Sequence, residues 1–467
     1  MLSWATVSDS TNISFSDYIW VNPHGMQSNP SVSQRKATLK KLLHVLEQHE
    51  DAVIKALHDD FGKPAFEAVL SETFIVQNAL RQTIRNLSRW AADETVRPSL
   101  LNFPSSDRII KEPYGQVLVI SPWNYPYQLA LLPVIAAYAA GNAVVLKPSE
   151  LTPNTSGLLS NLIAQVFNPV DVEVFQGGAE VAEHLLERRW DYIFFTGSVE
   201  VGSKVALAAA RNLTPVTLEL GGKNPCLVTK NANLTLAARR IVWGKFLNAG
   251  QTCIAPDYIL VEASVKSKLI TLLKSEIIAA FGLLPATSPD LARIVSDHHW
   301  KRLVEMLPAE KVVHGGQSDA QTRFIAPTII DETDRDSALM QHEIFGPILP
   351  VLGYEEESDL DEMIGRYEKP LSLYVFSDDK LEAERLIRRF PFGGGCVNDV
   401  VSHFANDRLP FGGVGHSGMG AYHGKRSFDT FVHRKAILRR GTWLDIPLRY
   451  APYKNKISLI RKWLKWL

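Results

Sequence analysis

Gln116-Val117-Leu118-Val119-Ile120 leads into Pro122-Trp123-Asn124, and this arrangement recurs through the residues that follow. Apolar runs at Ala143 to Leu146, Val172 to Phe175, Tyr192 to Phe195 and Val216 to Leu218 alternate with helix-like segments at 127–140, 153–166, 178–187 and 199–211. The runs are short and almost continuously apolar, as strands covered on both faces must be. Strand–helix alternation of this kind predicts a parallel sheet between two layers of helices, an α/β fold. Each run ends in polar or glycine residues: Pro122-Trp123-Asn124, Lys147-Pro148-Ser149-Glu150, Gly177-Gly178, Thr196-Gly197-Ser198 and Glu219. These gather at the carboxyl ends of the strands, where open α/β sheets bind ligands.

Upstream, residues 33–59 and 66–92 read as two long amphipathic helices, with Leu39, Leu42, Leu43 and Leu46 recurring at helical spacing among Lys and Glu. Downstream, about 225 to 396 forms a second α/β segment. Residues 93–113 and 397–440 fit neither unit and suggest a connecting arm. At 467 residues the chain is too long for one core. Its 46% hydrophobic and 21% charged content is that of a globular protein, and 50 basic against 50 acidic residues exclude the basic footprint of a nucleic-acid binder. Three widely spaced cysteines, Cys226, Cys253 and Cys396, argue against a disulfide framework and for a reducing, cytoplasmic setting. The amino terminus shows no secretory pattern, and no run of about 18 apolar residues suggests a membrane span.

Chemistry concentrates at two points. Cys253 closes Gly250-Gln251-Thr252-Cys253, where a tight turn would set the sulfur beside free backbone N–H groups that lower its pKa and hold an oxyanion. Glu219 ends an apolar run. A thiol can form an acyl-enzyme and a carboxylate can activate the water that clears it. Taken alone, Cys253 is a small buried hydrophobe and Glu219 a strand-end carboxylate. Gly413-Val414-Gly415-His416-Ser417-Gly418 matches a dinucleotide fingerprint but lacks the surrounding βαβ context, so it reads as a glycine-rich turn. Phe195-Thr196-Gly197-Ser198-Val199 is the better cofactor candidate, since a strand ends, a glycine permits close approach and a helix amino terminus follows.

Taken together, Pro122-Trp123-Asn124-Tyr125-Pro126, Lys147-Pro148-Ser149-Glu150, Phe195-Thr196-Gly197-Ser198, Leu218-Glu219-Leu220-Gly221-Gly222-Lys223, Gly250-Gln251-Thr252-Cys253 and Glu343-Ile344-Phe345-Gly346-Pro347 stand in the order seen in aldehyde dehydrogenases. Ala255-Pro256-Asp257-Tyr258 and Leu409 to Gly420 resemble the class 3 or fatty-aldehyde branch. The resemblance runs from about residue 30 to 435. It implies an aldehyde dehydrogenase-like α/β fold with a Rossmann-like cofactor domain (1–92 and 114–218), an α/β catalytic domain (219–396), a small bridging and oligomerisation arm (93–113 and 397–440) and a tail (441–467). Carried over by position, it makes Cys253 the nucleophile and Glu219 the general base, with the Asn124 side chain and the Cys253 N–H holding the oxyanion. Lys147 and Glu150 would take the adenosine ribose, and Gly197 and Ser198 the pyrophosphate. Glu343 and Phe345, with Trp123, would take the nicotinamide end of NAD or NADP. Tyr125, Thr252 and Ile254 would line the substrate pocket, and no metal is expected. His416 departs from the Asn usual in close relatives and puts local loop hydrogen bonding in doubt.

The implied reaction is NAD(P)-dependent oxidation of an apolar aliphatic or aromatic aldehyde to the acid, through a Cys253 thiohemiacetal and thioester, by a homodimer. A cofactor-independent thiol esterase could use the same Cys253 and Glu219, and a non-catalytic structural or binding protein on this fold would be expected to have lost Cys253, Glu219 or Asn124, all of which are present. In the tail, Ile457, Leu459, Ile460, Trp463, Leu464, Trp466 and Leu467 share one half of a helical wheel, with Ser458, Arg461, Lys462 and Lys465 on the other. Such a helix is too short to span but suits either peripheral contact with a membrane or docking on protein.

Overall fold

Successive residues of Gln116–Ile120 are buried on opposite faces of one sheet in the computed structural model, which describes residues 30–454 and 456–464. Val117 and Val119 join Val144, Leu146 and Phe194 in one core, whereas Leu118 and Ile120 join Val145, Ile193 and Phe195 in another. Two buried faces explain the unbroken apolar runs. The strand order is Gly418–Met419, Val216–Glu219, Tyr192–Thr196, Gln116–Ile120, Ala143–Lys147 and Val172–Val174. All neighbours are parallel except the first pair. Sequence order runs one way from Gln116–Ile120 to Ala143–Lys147 and the other way to Tyr192–Thr196. The carboxyl ends of Gln116–Ile120 and Tyr192–Thr196 therefore flank a topological switch point, the crevice where such sheets take ligands.

A second, seven-stranded sheet follows the order Val312–His314, Thr328–Asp331, Ile348–Tyr354, Tyr258–Glu262, Pro225–Val228, Ser372–Phe376 and Gly394–Val397. It is parallel except at its Val312–His314 edge. Glu219 ends a strand of the first sheet and Pro225 begins one of the second, so the carboxyl ends of one sheet face the entry side of the other. A three-stranded antiparallel sheet, Glu94–Val96, Ser105–Pro113 and Val432–Arg440, stands apart, with Val432 opposite Pro113 and Arg440 opposite Ser105. The segment 397–440 is thus divided. Val432–Arg440 joins this arm, while Gly418–Met419 pairs with Leu218 and Glu219.

The amino-terminal helices differ from expectation in two places. The first breaks at His49, whose backbone stands at φ −109° and ψ 16°, into Val32–Gln48 and Glu50–Phe61, and the His49 ring N–H donates to the Val45 carbonyl. The second runs as Ala65–Ala68, a π-helical turn Val69–Thr73, and Phe74–Trp90. One further helix, Ala263–Phe281, reaches the length and mean hydropathy of a membrane-spanning segment although it holds no long apolar run. Its buried face, Leu269, Ile270, Leu273 and Ile277, belongs to the main core.

Candidate active site

Cys253 follows the expected turn, which begins earlier than Gly250. After the helix Leu234–Phe246, residues Asn248, Ala249 and Gly250 take left-handed φ values of 54°, 53° and 75°. Two of these are not glycine, so surrounding contacts must impose the conformation. The Gln251 amide supplies them, donating to the Asn248 and Arg293 carbonyls (3.0 Å each) and accepting from the Val295 N–H (3.0 Å). Gly250 has a second requirement. A Cβ there would stand 2.3 Å from the Gly346 carbonyl oxygen, so the loop after Glu343 closes directly onto the Cys253 turn.

The strand end at 124–125 is stitched to this turn. Asn124 Nδ2 donates to the Gln251 carbonyl at 3.1 Å, and the Asn124 carbonyl accepts from Asn248 Nδ2 at 2.8 Å. Tyr125 Oη and Thr252 Oγ1 are 2.7 Å apart. Beneath them lies a fully buried ion pair, Lys63 Nζ to Glu72 Oε1 at 2.6 Å. The Lys63 ammonium also sits 4.0 Å from the Tyr125 ring centroid, and Glu72 Oε2 accepts the N–H groups of Tyr127 (3.1 Å) and Gln128 (2.8 Å). Glu67 accepts the Asn248 N–H at 2.9 Å. Sequence reading missed Lys63, Glu67, Glu72, Asn248 and Gln251. The available signal was Glu72, a charge whose place in the helical pattern falls among buried residues.

Electrostatics at the thiol oppose the expectation of a lowered pKa. Burial pushes the Cys253 thiol up to about 12, and Glu343 and Glu219 push the same way. The Cys253 and Ile254 N–H groups favour the thiolate but do not outweigh them. Glu219 is itself raised well above the usual carboxylate range by burial, and neither of its oxygens has a hydrogen-bond partner among the described residues. Glu343 is pushed up to about 8, by burial first and by Asp257 second, while the Gly222 N–H, Lys223 and Arg302 oppose. The resting site is therefore a protonated thiol beside carboxyl groups that favour their neutral forms.

A cavity of about 280 Å³ opens from Cys253, Thr252, Ile254 and Tyr125 and is walled mainly by apolar side chains such as Phe74, Leu129, Trp243 and Phe428. On the other side lies the switch-point crevice. Ser121 Oγ and Thr196 Oγ1 are buried there without partners among the described residues. Ser198 caps the helix Val199–Ala210 by accepting the Val201 N–H, and Gly197 precedes it. Lys147 and Glu150 pair at 2.6 Å at the adjacent strand end. Orphaned hydroxyls, a helix amino terminus and a charge pair fit the phosphates and ribose of a dinucleotide. Across the crevice, the Trp123 and Phe345 rings meet edge to face at 5.3 Å.

The glycine-rich run forms a turn packed on the Glu219 strand. The Leu220 N–H donates to the Ser417 carbonyl, and a Cβ on Gly413 would strike that same oxygen at 2.1 Å. Ser417 Oγ accepts the Val414 N–H and donates to the Val414 carbonyl, which leaves His416 no part in the turn's hydrogen bonds. It is exposed, 4.0 Å from Glu368. Cys226 is fully buried, and Cys396 lies 3.5 Å from His403 Nδ1.

Residues 25–437 match the sequence profile of the aldehyde dehydrogenase family. The 4,4'-diaponeurosporen-aldehyde dehydrogenase of Staphylococcus aureus is 46% identical over 441 residues, covering 94% of this chain and 96% of that protein. Aldehyde dehydrogenase family 3 member H1 of Arabidopsis thaliana is 44% identical over 91% of this chain and 90% of its own. Among solved structures, substrate-bound AldH of Staphylococcus aureus superposes with a TM-score of 0.92 at 45% identity, covering 94% of this chain and 96% of that one. Betaine aldehyde dehydrogenase of the same organism, in complex with NAD+, does so with a TM-score of 0.80 at 26% identity, covering 90% and 86%. A thiol at the meeting of an apolar cavity and a dinucleotide crevice, with these relatives, gives one conclusion: the chain belongs to the aldehyde dehydrogenase family, enzymes that oxidise aldehydes with NAD or NADP.

Proposed function

We propose that this chain oxidises apolar aliphatic or aromatic aldehydes of medium to long chain, with Cys253 as nucleophile. The apolar cavity ending at Cys253 carries the reading. A relative named for 4,4'-diaponeurosporen-aldehyde agrees with it. A panel of aldehydes of rising chain length, assayed by reduction of NAD and of NADP, tests it. Specificity constants that do not rise with apolar length would overturn it, and ester hydrolysis without aldehyde-dependent NADH would return the esterase alternative.

Each residue then has a task. The Cys253 thiol gives up its proton to solvent, the thiolate adds to the aldehyde carbon, and the Asn124 amide and Cys253 N–H stabilise the oxyanion of the thiohemiacetal. Bound in the crevice, the cofactor supplies a hydride acceptor. Lys147 and Glu150 would bind its adenosine ribose, Gly197 and Ser198 its pyrophosphate, and Glu343, Phe345 and Trp123 its nicotinamide end. A carboxylate at Glu150 disfavours the 2′-phosphate of NADP, while Lys147 offsets part of that repulsion. Glu219 removes a proton from the water that cleaves the thioester. Its raised pKa makes it a stronger base once ionised. The six-stranded sheet with the amino-terminal helices would be the cofactor unit, and the seven-stranded sheet the catalytic unit.

Asn124→Ala is expected to lower kcat by roughly 10²–10³-fold, the usual loss for one oxyanion donor. A loss under about fivefold in a folded variant limited by acylation would move that task to another donor. Glu219→Gln should spare acylation and slow deacylation, giving a burst of about one NADH per site and then slow turnover. Equal losses in burst and steady state would place Glu219 earlier, at the thiol.

The assembly reading is a cytoplasmic homodimer whose tail either touches a membrane or docks on protein. Phe66, Leu70 and Phe74 are exposed beside the cavity and suit a partner subunit. In the tail helix Lys456–Leu464, Ile457, Leu459 and Ile460 are exposed among the described residues, which supports a covering surface outside them. Lys465, Trp466 and Leu467 lie outside the described residues, as do the side chains of Trp463 and Leu464. The intact protein should sediment with anionic vesicles at low salt and a chain lacking 454–467 should not. Equal sedimentation of both would remove the tail from membrane binding, and a monomeric mass without vesicles would remove the dimer.

A further inference from the structure

Several polar side chains interrupt the wall of the apolar cavity, and one of them, away from Cys253, is an unpartnered imidazole. His423 lines the cavity and is only 7% exposed, yet neither ring nitrogen has a hydrogen-bond partner among the described residues. Its ring is fixed by Phe404 edge-on at 4.5 Å, by Phe411 stacked at 5.4 Å and by Tyr422 edge-on at 4.7 Å. Its backbone stands at φ 95°, a conformation a side-chain-bearing residue rarely adopts. Asp407 lines the same cavity, and its Oδ2 is also buried without a partner. Their chain segments pack together at the backbone. A Cβ on Gly424, the residue after His423, would stand 2.2 Å from the Asp407 carbonyl oxygen.

Burial pushes the His423 imidazole down to about 3, with nearby His403 acting in the same direction, so it stays neutral. A neutral imidazole offers one N–H donor and one acceptor, while a carboxylate oxygen only accepts. Buried polar groups left unpaired are costly, and cavities that keep them commonly pair them with a ligand. A hydroxyl suits this pair because it accepts from the imidazole N–H and donates to the carboxylate. A second carboxylate on the substrate would be repelled by Asp407, and a plain methylene would leave both groups unpaired.

We propose that His423 and Asp407 form a hydroxyl-recognising subsite in the cavity wall, so that the enzyme favours apolar aldehydes bearing a hydroxyl remote from the carbonyl. This rests on the apolar-aldehyde reading above, and His423 and Asp407 act on specificity with no part in the bond-making steps. The subsite lies at one distance from Cys253, so the preference appears at one range of chain length and not at others.

The test compares n-alkanals with ω-hydroxyalkanals of equal chain length, in the wild-type protein and in His423→Phe, which keeps an aromatic ring in the same packing. In the wild type, the ratio of kcat/KM for hydroxylated over plain substrate should peak at one chain length, at about three- to tenfold above its value at other lengths. His423→Phe should flatten that peak, and Asp407→Asn should reduce it if His423→Phe proves unstable. Alkan-1,ω-diols as dead-end ligands should protect the wild type against thermal unfolding more than alkan-1-ols do, and should lose that advantage in His423→Phe. A flat ratio in the wild type, or a peak that survives both substitutions, overturns the subsite. Absence of NADH formation with every plain alkanal would instead overturn the apolar-aldehyde reading.

Discussion

Cys253→Ala is expected to abolish aldehyde oxidation, with turnover reduced by more than about 10⁴-fold, because no other group at the end of the cavity can be acylated. Cofactor binding should survive, since the crevice residues at Lys147, Glu150 and Ser198 lie on other strand ends. Turnover above about one per cent of wild type would remove Cys253 from the mechanism. The same sulfur predicts a pH signature. With the thiol pushed up to about 12, the thiolate fraction in the cofactor-free protein is small at neutral pH and grows about tenfold per pH unit. Alkylation by iodoacetamide, followed on the Cys253 peptide by mass spectrometry, should therefore climb from pH 7 to 9 without a plateau. A plateau near neutrality would show a resting thiolate and would mean that the N–H groups of Cys253 and Ile254 prevail over burial and the two carboxyl groups.

The expected and observed strands agree closely where burial on both faces writes the element into the sequence. Gln116–Ile120 has the expected bounds, and Tyr192–Thr196 and Val216–Glu219 extend the expected runs by one residue. The residues ending those strands were legible for the same reason, since Asn124, Lys147, Ser198 and Glu219 are polar punctuation after apolar runs. Gly418–Met419 was not, because a two-residue strand has no periodicity and owes its pairing to the neighbouring strand. Nor were Asn248 and Ala249, whose left-handed backbone comes from contacts with Gln251, Glu67 and Asn124 rather than from their own preferences. The thiol environment was misread from local sequence. Gly250 and the nearby N–H groups suggested a lowered pKa, but burial raises it, and Glu343 and Glu219, from distant segments, act the same way. Lys63 and Glu72 illustrate the general limit. In an amphipathic helix a charge reads as solvent-facing, and only the folded chain brings Lys63 under Asn124 and Tyr125.

That buried pair should also set the chain's stability. Glu72→Ala removes the counter-charge from an ammonium with no exposed surface and takes the acceptor from the Tyr127 and Gln128 N–H groups at the start of the helix Gln128–Ala140. Breaking a buried pair by deleting one partner costs about 3–5 kcal/mol, because the remaining charge loses its compensation while staying out of water. The unfolding midpoint in urea should fall accordingly, and a midpoint equal to wild type would show that water or another group already compensates Lys63. Replacing both partners, Lys63→Met with Glu72→Leu, should restore much of the loss, since an apolar pair of similar volume leaves no orphaned charge. Kinetics separate packing from positioning. Lys63 lies 3.5 Å from the Asn124 carbonyl and under the Tyr125 ring, so on the proposed oxyanion role of Asn124 the double variant, though stable, should lose kcat more than KM. If the double variant regains both stability and wild-type kcat, the pair holds the fold alone and Asn124 is aimed by Asn248 and Gln251 without it.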